Sequence, residues 1–158
     1  MGTKKKTWQE KLLDSKDLPK IVDIPEKMKK RLGEGTMVIP APIEVDEIMK
    51  SVPEGKLITI NHIREVLARR HKTATACPIT TGIFAWIAAF ASEERKSEGK
   101  NDETPYWRTL KKGGELNEKY PGGIENQMNL LEKEGHTVVQ KGKKYKVVDF
   151  EKSLANIE

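Results

Sequence analysis

Apolar side chains recur at helical spacing through the middle of the chain. Four of them between positions 45 and 52 follow an i, i+3, i+4, i+7 pattern, which predicts an amphipathic helix that ends before Pro53. Thr59 and Asn61 are alternative N-caps for the next helix, whose charged positions face away from its apolar ones. Pro78 suits the first position of a third helix, which runs from Ile79 to about Glu94 and is apolar on more than one face.

Shorter patterns predict small elements on both sides of these helices. The predicted elements are helical turns over Trp8–Leu13, a short helix over Glu26–Leu32, a strand at Met37–Ile39, an exposed loop from Ser92 to Thr104, a hairpin formed by Thr137–Gln140 and Lys144–Val148, and a polar helical tail from Asp149 to Glu158. The tip of the hairpin is basic. Residues 1–40 are interpreted as an N-terminal extension that packs on the main domain through Trp8, with a basic arm at Met1–Lys6, and residues 41–158 as that domain.

Composition and charge narrow the class of protein. The chain has 158 residues, enough for one domain with a sizeable core, and its net charge of +5 and pI near 9.2 suit a nucleic-acid partner. Its one cysteine excludes an internal disulfide, and its three histidines are too scattered to suggest zinc, so no metal or cofactor is expected. No apolar run reaches the ~18 residues of a membrane helix, and the N-terminus lacks a secretory signal, so we expect no membrane partner and a cytoplasmic location.

Several motifs occur in one order between Val45 and Gly135. They are Val52-Pro53-x-Gly55-Lys56-Leu57-Ile58-Thr59, Pro105-Tyr106-Trp107-Arg108, Gly113-Gly114-Glu115-Leu116, Tyr120-Pro121-Gly122-Gly123 and Leu130-Leu131-x-x-Glu134-Gly135. Together they resemble the signature of the O6-alkylguanine-DNA alkyltransferase family. The resemblance implies a mainly α fold with a small β component, a winged-helix-like DNA-binding domain, to which this chain adds its N-terminal extension and C-terminal hairpin.

The resemblance also implies that the chain is not an enzyme. Tyr106 stands where the enzymes have their alkyl-accepting cysteine, and Trp107 stands where they have a histidine. Alkyl transfer to a protein needs a thiolate activated by a base, and a phenol beside an indole supplies neither at neutral pH. The alkyltransferase-like branch of the family has tryptophan in place of the cysteine and binds damaged DNA without repairing it. We therefore expect a protein that binds double-stranded DNA, recognises alkylated or distorted sites and signals to repair proteins.

The same alignment of motifs assigns the residues of a DNA-binding helix-turn-helix. Ile60 stands where the enzymes have a tyrosine that helps rotate the target phosphate, and Ile79 where they have an intercalating arginine. Plain core packing is the favoured interpretation of Ile79, and wedging into a base step is the alternative. Thr80 and Thr81 are candidates for a polar contact at the helix start, where backbone N–H groups meet phosphates.

Around the aromatic pair, two interpretations stand side by side. Tyr106 and Trp107 line a pocket for a flipped base, or they are a hydrophobic plug that fills the space of the lost cysteine. Arg108 contacts a phosphate or, the favoured interpretation, braces the segment through a carboxylate, and Tyr120 sets a tight turn. Cys77 is interpreted as a small buried residue at a helix start. The alternative function is a repurposed alkyltransferase fold that serves as a protein-interaction or small-ligand module without DNA binding.

Overall fold

The computed structural model describes residues 6–158, which form a mainly helical fold with small sheets. The helices of this range are α1 (Trp8–Leu13), α2 (Lys29–Leu32), α3 (Pro42–Lys50), α4 (Ile60–His71), α5 (Pro78–Ser97) and α6 (Gly123–Lys133). Its strands are β1 (Lys20–Asp23), β2 (Thr36–Ile39), β3 (Ile58–Thr59), β4 (Thr75–Ala76), β5 (Thr109–Leu110), β6 (Val138–Lys141) and β7 (Lys144–Val147). The predicted mainly α fold with a small β component is confirmed. The predicted basic arm lies outside the described residues except for Lys6.

The core forms where α3 and α5 pack together. The predicted apolar stripe of α3 is buried, from Val45 to Met49. The matching face of α5 carries alanines at positions 85, 88 and 89, all fully buried, and these small side chains let the helices approach closely. Tyr106, in a 3-10 turn over Tyr106–Arg108, is buried in the same cluster. The alanine face of α5 is therefore buried in the core, and other faces of this helix are left for the protein surface.

The N-terminal segment packs on α5 and joins a sheet with the helix-turn-helix. The Trp8 ring stacks on Phe90 with centroids 4.7 Å apart and meets Trp86 edge-on at 5.9 Å. The Glu94 carboxylate accepts the backbone N–H groups of Trp8 and Gln9 at 3.2 and 3.1 Å, which caps the start of α1. In the sheet, β2 lies between β1, which is antiparallel to it, and β4, which is parallel. Strand β4 belongs to the turn between α4 and α5.

Strand β1 was not among the predicted elements. Pro19 and Pro25 lie just outside it, where no ladder hydrogen bond from their nitrogen is needed. The strand then pairs Lys20 to Asp23 with residues of β2. Proline here marks the limits of a strand rather than the absence of one.

The predicted exposed loop from Ser92 to Thr104 is wrong over its first half. Helix α5 continues to Ser97, and Arg95 is buried although it is charged. The Arg95 guanidinium donates to the Asp102 carbonyl at 2.7 Å and to the Thr104 hydroxyl at 3.1 Å. Because the buried polar groups find partners in the returning chain, the segment packs against α5.

At the C-terminus the hairpin is confirmed and the helical tail is wrong. Strands β6 and β7 pair antiparallel with the turn at Gly142, as the two β-prone runs predicted. After β7 the chain forms a 3-10 turn over Phe150–Ser153 and then runs extended beside Leu57, whose N–H donates to the Ser153 carbonyl at 2.9 Å. Ala155 is buried there, so packing of an extended segment prevails over the polar character of the tail.

Candidate nucleic-acid interface

The two helices of the helix-turn-helix begin at one groove. Helix α4 is capped by Thr59, whose hydroxyl accepts the His62 N–H at 3.2 Å, and α5 begins at Pro78 as predicted. A groove of about 550 Å³ lies between these two helix starts and the segment 111–119. Its lining is formed by Ile60, Asn61, Ile79, Gly82, Ile83, Trp86, Lys111, Lys112, Asn117, Glu118 and Lys119. Two of the predicted site residues, Ile60 and Ile79, therefore share one surface.

The side of the groove formed by α5 is apolar and open. Ile79 is 61% exposed and Ile83 is 36% exposed, one helical turn apart on α5. Between them, a Cβ placed on Gly82 would meet no atom of the described residues within 4 Å. The prediction that Ile79 packs in the core is wrong. The alanine face of α5 occupies the core, so the isoleucines on another face of the helix are left at the surface.

The opposite side of the groove is basic. Lys111 pairs with Glu118 at 3.3 Å, whereas Lys112 and Lys119 form no ion pair with any carboxylate of residues 6–158. Both of these lysines are exposed. Exposed cations beside an apolar strip are suited to phosphates and bases respectively, the two components of a nucleic-acid strand.

The threonines at the start of α5 do not face this groove. Thr81 is fully buried, and its hydroxyl donates back to the Cys77 carbonyl at 2.6 Å. The hydroxyl oxygen of Thr80 is also buried, without a hydrogen-bond partner among the described residues. The expected polar contact of these side chains with a phosphate is therefore not available, because both hydroxyls are turned into the protein.

Tyr106 is part of the packed interior. Its ring meets Trp107 and Tyr120 edge-on, with centroids 5.4 and 5.5 Å away. Its hydroxyl donates to Glu93 Oε1 at 2.9 Å and accepts from Asn126 Nδ2 at 3.0 Å. Burial, together with the hydrogen bond to Glu93, raises the pKa of the Tyr106 phenol above its ordinary value. This arrangement favours the plug over the base pocket.

Trp107 borders a different cleft, whose charge is unsuited to DNA. This cleft of about 510 Å³ is lined by Trp107, Asn126 and two lysines, but also by four carboxylates. The four are Glu54, Glu93, Glu103 and Glu134. Their negative charge opposes the approach of a phosphate backbone. A base could therefore reach Trp107 only by passing an acidic edge.

Arg108 is the brace that its favoured interpretation predicted. Its guanidinium pairs with Glu134 at 2.6 Å and donates to the Val52 carbonyl at 2.8 Å, while Trp107 Nε1 donates to the same carboxylate at 3.0 Å. Burial alone would raise the pKa of Glu134, but the hydrogen bonds from Arg108 and Trp107 and the charge of Arg108 outweigh it, so that pKa lies below its ordinary value. Glu134 was missed as the partner, although it is part of the Leu-Leu-x-x-Glu-Gly motif.

Tyr120 and Cys77 also have structural positions. Tyr120 is buried against Tyr106, just before a turn in which Gly122 has φ of +76°. A Cβ on Gly122 would approach the Asn126 side chain to 2.5 Å, so the turn requires glycine twice over. Cys77 is buried at the N-cap of α5 among Ile24, Met28 and Met37, as its interpretation as a small buried residue expected.

The described residues contain neither a candidate metal site nor a membrane-spanning helix. Within 6–158, no three or more His, Cys, Asp or Glu side chains come together as metal ligands would. No helix in that range combines the length and the apolar character needed to span a membrane.

No protein-family model matches the sequence, and no curated protein matches it. Among solved structures, the chain is similar to the crystal structure of S. pombe Atl1 in complex with damaged DNA containing O6-carboxymethylguanine. The two chains are 17% identical with a TM-score of 0.49, and the similarity covers 73% of this chain and 94% of that chain.

Proposed function

We propose that the chain is a non-enzymatic protein that binds double-stranded DNA and recognises alkylated or distorted sites through the groove at the helix-turn-helix. The observation that carries the proposal is the exposure of Ile79 at the start of α5, opposite Lys112 and Lys119. A large apolar side chain that is left at a helix start beside exposed cations fits a partner with apolar faces and a negative backbone. Duplex DNA has both.

The isoleucines would supply the preference for damaged sites. Apolar side chains that enter a duplex wedge between base steps and partly unstack them. Unstacking costs least where a base is damaged or mispaired, so a wedge discriminates in favour of such sites. An alkyl group on a base adds apolar surface, and the strip formed by Ile79, Ile83 and Trp86 would bury it with a gain of about 0.8 kcal/mol for each CH2.

The lysines would supply affinity that does not depend on sequence. Each phosphate that a cation neutralises adds about 0.9 to the slope of log K against log salt for B-DNA. If Lys111, Lys112 and Lys119 each contact a phosphate, the groove contributes a slope of about 2.7. Lys111 must exchange Glu118 for the phosphate, whereas the other two lysines need no exchange of an ion pair within residues 6–158.

The absence of alkyl transfer follows from two side chains. Tyr106 takes the place of the acceptor cysteine in the motifs that resemble the alkyltransferases, and its raised pKa keeps it a neutral phenol. Cys77 is the chain's one cysteine, and its side chain is buried in a separate apolar cluster. Recognition without repair leaves the lesion in place, so we include signalling to repair proteins in the proposal.

The second candidate is a protein-interaction or small-ligand module on the same fold. It is favoured by the apolar strip of the groove, which would suit an apolar peptide or ligand as well as a base. Binding would then not require Lys111, Lys112 and Lys119. Charge dependence therefore separates the two functions.

Titration of the protein against duplexes over a range of salt concentrations tests the proposal. We expect wild type to bind a duplex containing O6-methylguanine more tightly than the unmodified duplex, with affinity falling steeply as salt rises. Lys112→Gln should weaken both duplexes equally and lower the salt slope by about 0.9. The matched control is Lys96→Gln, an exposed lysine about 26 Å from Ile79 along α5, which should change neither value. Absence of duplex binding by wild type at low salt would refute the proposal in favour of the second candidate.

A further inference from the structure

A second cleft adjoins the groove on the other side of the start of α4. It has about 570 Å³ and lies between the outer face of α4 and the turn that leads into β4. Arg64, Arg69 and Lys72 line it, together with one carboxylate, Glu65. Asn61 lines both this cleft and the groove, so the two surfaces are continuous at that residue.

Arg64 is held in this cleft by neutral groups. Its Nε donates to the Ala76 carbonyl at 2.9 Å, one Nη to Asn61 Oδ1 at 3.1 Å and the other to the Thr75 hydroxyl at 3.0 Å. The side chain is half-buried, yet it forms no ion pair with a carboxylate of residues 6–158. Arg108, another partly buried arginine, has Glu134 as its partner.

An enclosed guanidinium that forms no direct ion pair lacks the close counter-charge that such groups ordinarily have. Burial, joined by the charge of Arg31, lowers the pKa of Arg64 and outweighs the opposing effects of Cys77 and Glu65, so its surroundings on balance oppose the cation. Three of the five N–H groups of the guanidinium are engaged, which leaves two for a ligand. Since the three bonds fix the side chain, little of its freedom is lost when an anion binds.

The neighbouring charges favour an anion in the same place. Lys72 is exposed and ends α4 in the left-handed conformation, and Arg69 is exposed with one bond, to the Ile157 carbonyl at 3.3 Å. Three cations against one carboxylate give this small cleft a net positive charge. Two oxygens of an oxyanion match the guanidinium fork, and phosphate is the oxyanion that a nucleic acid presents.

We infer that this cleft binds a backbone phosphate of the DNA whose bases enter the groove, with Arg64 as the principal donor and Asn61 at the junction of the two surfaces. The inference rests on the proposed function, because it takes DNA to be the ligand of the groove. It assigns to the outer face of α4 the role of fixing the position of the strand. Contacts of this kind carry no information on the base, so the cleft acts on all duplexes alike.

The test combines binding measurements with a direct observation of Arg64 in the full chain. Arg64→Gln should lower the salt slope by about 0.9 and weaken modified and unmodified duplexes alike by about tenfold. Lys72→Gln, which removes an exposed cation without touching the three bonds of Arg64, should weaken both duplexes to a smaller extent. Lys96→Gln is the matched control, and thermal unfolding verifies that each variant is folded. In wild type, the 15Nε resonance of Arg64 should shift on addition of an unmodified duplex.

The outcomes separate this inference from the function on which it rests. If wild type binds duplexes but neither variant changes the salt slope and the Arg64 resonance does not move, the inference is overturned and the DNA-binding function stands. If inorganic phosphate shifts the resonance while the slope is unaffected by Arg64→Gln, the cleft binds free anions only, and the inference is likewise overturned. If wild type binds no duplex, both are overturned. A shift of the Arg64 resonance on addition of the duplex, together with a reduced salt slope in a variant, supports the inference. If Arg64→Gln is too unstable to be measured, the salt slope of Lys72→Gln is used in its place.

Discussion

Replacement of Ile79 by alanine removes the apolar side chain on which the proposed DNA contact depends. The change deletes three carbons, and burial of each is worth about 0.8 kcal/mol. Since Ile79 is 61% exposed in the free protein, about 1.5 kcal/mol of this is available to a partner, which corresponds to about tenfold in Kd. The remaining part, about 1 kcal/mol, is already packed against the protein and measures the expected loss of stability. Because alanine is the better helix former, the net loss should be smaller still.

Fluorescence anisotropy of labelled duplexes, with and without O6-methylguanine, measures the effect at one fixed salt concentration. The loss should be greater for the modified duplex, because the isoleucine buries more apolar surface there. Leu13→Ala is the matched control: it deletes the same number of carbons from a helical side chain that is 70% exposed and does not line the groove. Its Kd should stay within twofold of wild type. A folded Ile79→Ala variant with wild-type affinity for both duplexes would refute the assignment of the groove to DNA.

Two further predictions concern residues that do not line the groove. Glu134→Gln leaves the enclosed Arg108 without its counter-charge and should lower the free energy of unfolding by about 3 kcal/mol in urea titrations at pH 7. Because the pKa of Glu134 is depressed in the folded protein, its contribution is complete above its ordinary value of 4.5 and is lost as the pH falls through the folded value, so wild type and variant should converge in acid. Tyr106→Phe removes the hydroxyl bonded to Glu93 and Asn126, and should cost about 1 kcal/mol of stability while duplex Kd stays within twofold. A large loss of DNA binding by a folded Tyr106→Phe variant would restore the base pocket.

Local patterns were enough to predict the elements whose structure depends on neighbouring residues. The stripe of α3 is buried because its period places all its members on one face. Pro78 and Thr59 act at helix starts for reasons of backbone geometry that the sequence shows directly. The turn at Gly142 similarly follows from two β-prone runs around a flexible residue.

Local sequence patterns could not predict the exposure of Ile79. Helix α5 is apolar around most of its circumference, so its sequence does not distinguish the face that meets the core from the face that meets solvent. The choice is made by α1 and α3, which pack on α5 from segments distant in sequence. Two isoleucines at i and i+4 on the face without alanines were the available signal, and it has meaning only after the alanine face has been assigned to the core.

The remaining site residues depend on contacts between distant parts of the chain. Lys119 lies across the groove from Ile79, although the two residues are 40 positions apart in the sequence. The local sequence around either residue gives no sign that they are close in space. Strand pairing between β2 and β4 joins residues 37–38 to residues 75–76, and strands this short lack the length that would identify them from sequence. The Arg64 cleft depends on this pairing, because it positions the Thr75 and Ala76 acceptors.

The parallel pairing of β2 with β4 also determines which fragments of the chain would keep the helix-turn-helix intact. The Cys77 N–H donates to the Val38 carbonyl at 2.9 Å, immediately before α5 begins, and the Ala74 N–H donates to the Thr36 carbonyl at 3.0 Å. A fragment that starts at residue 41 would leave both N–H groups without these acceptors and would expose Cys77, because it would lack the isoleucine and methionine side chains that cover this cysteine. Residues 20–39 thus support the turn between α4 and α5, and a transplant of the helix-turn-helix into another scaffold would have to carry a replacement strand with it.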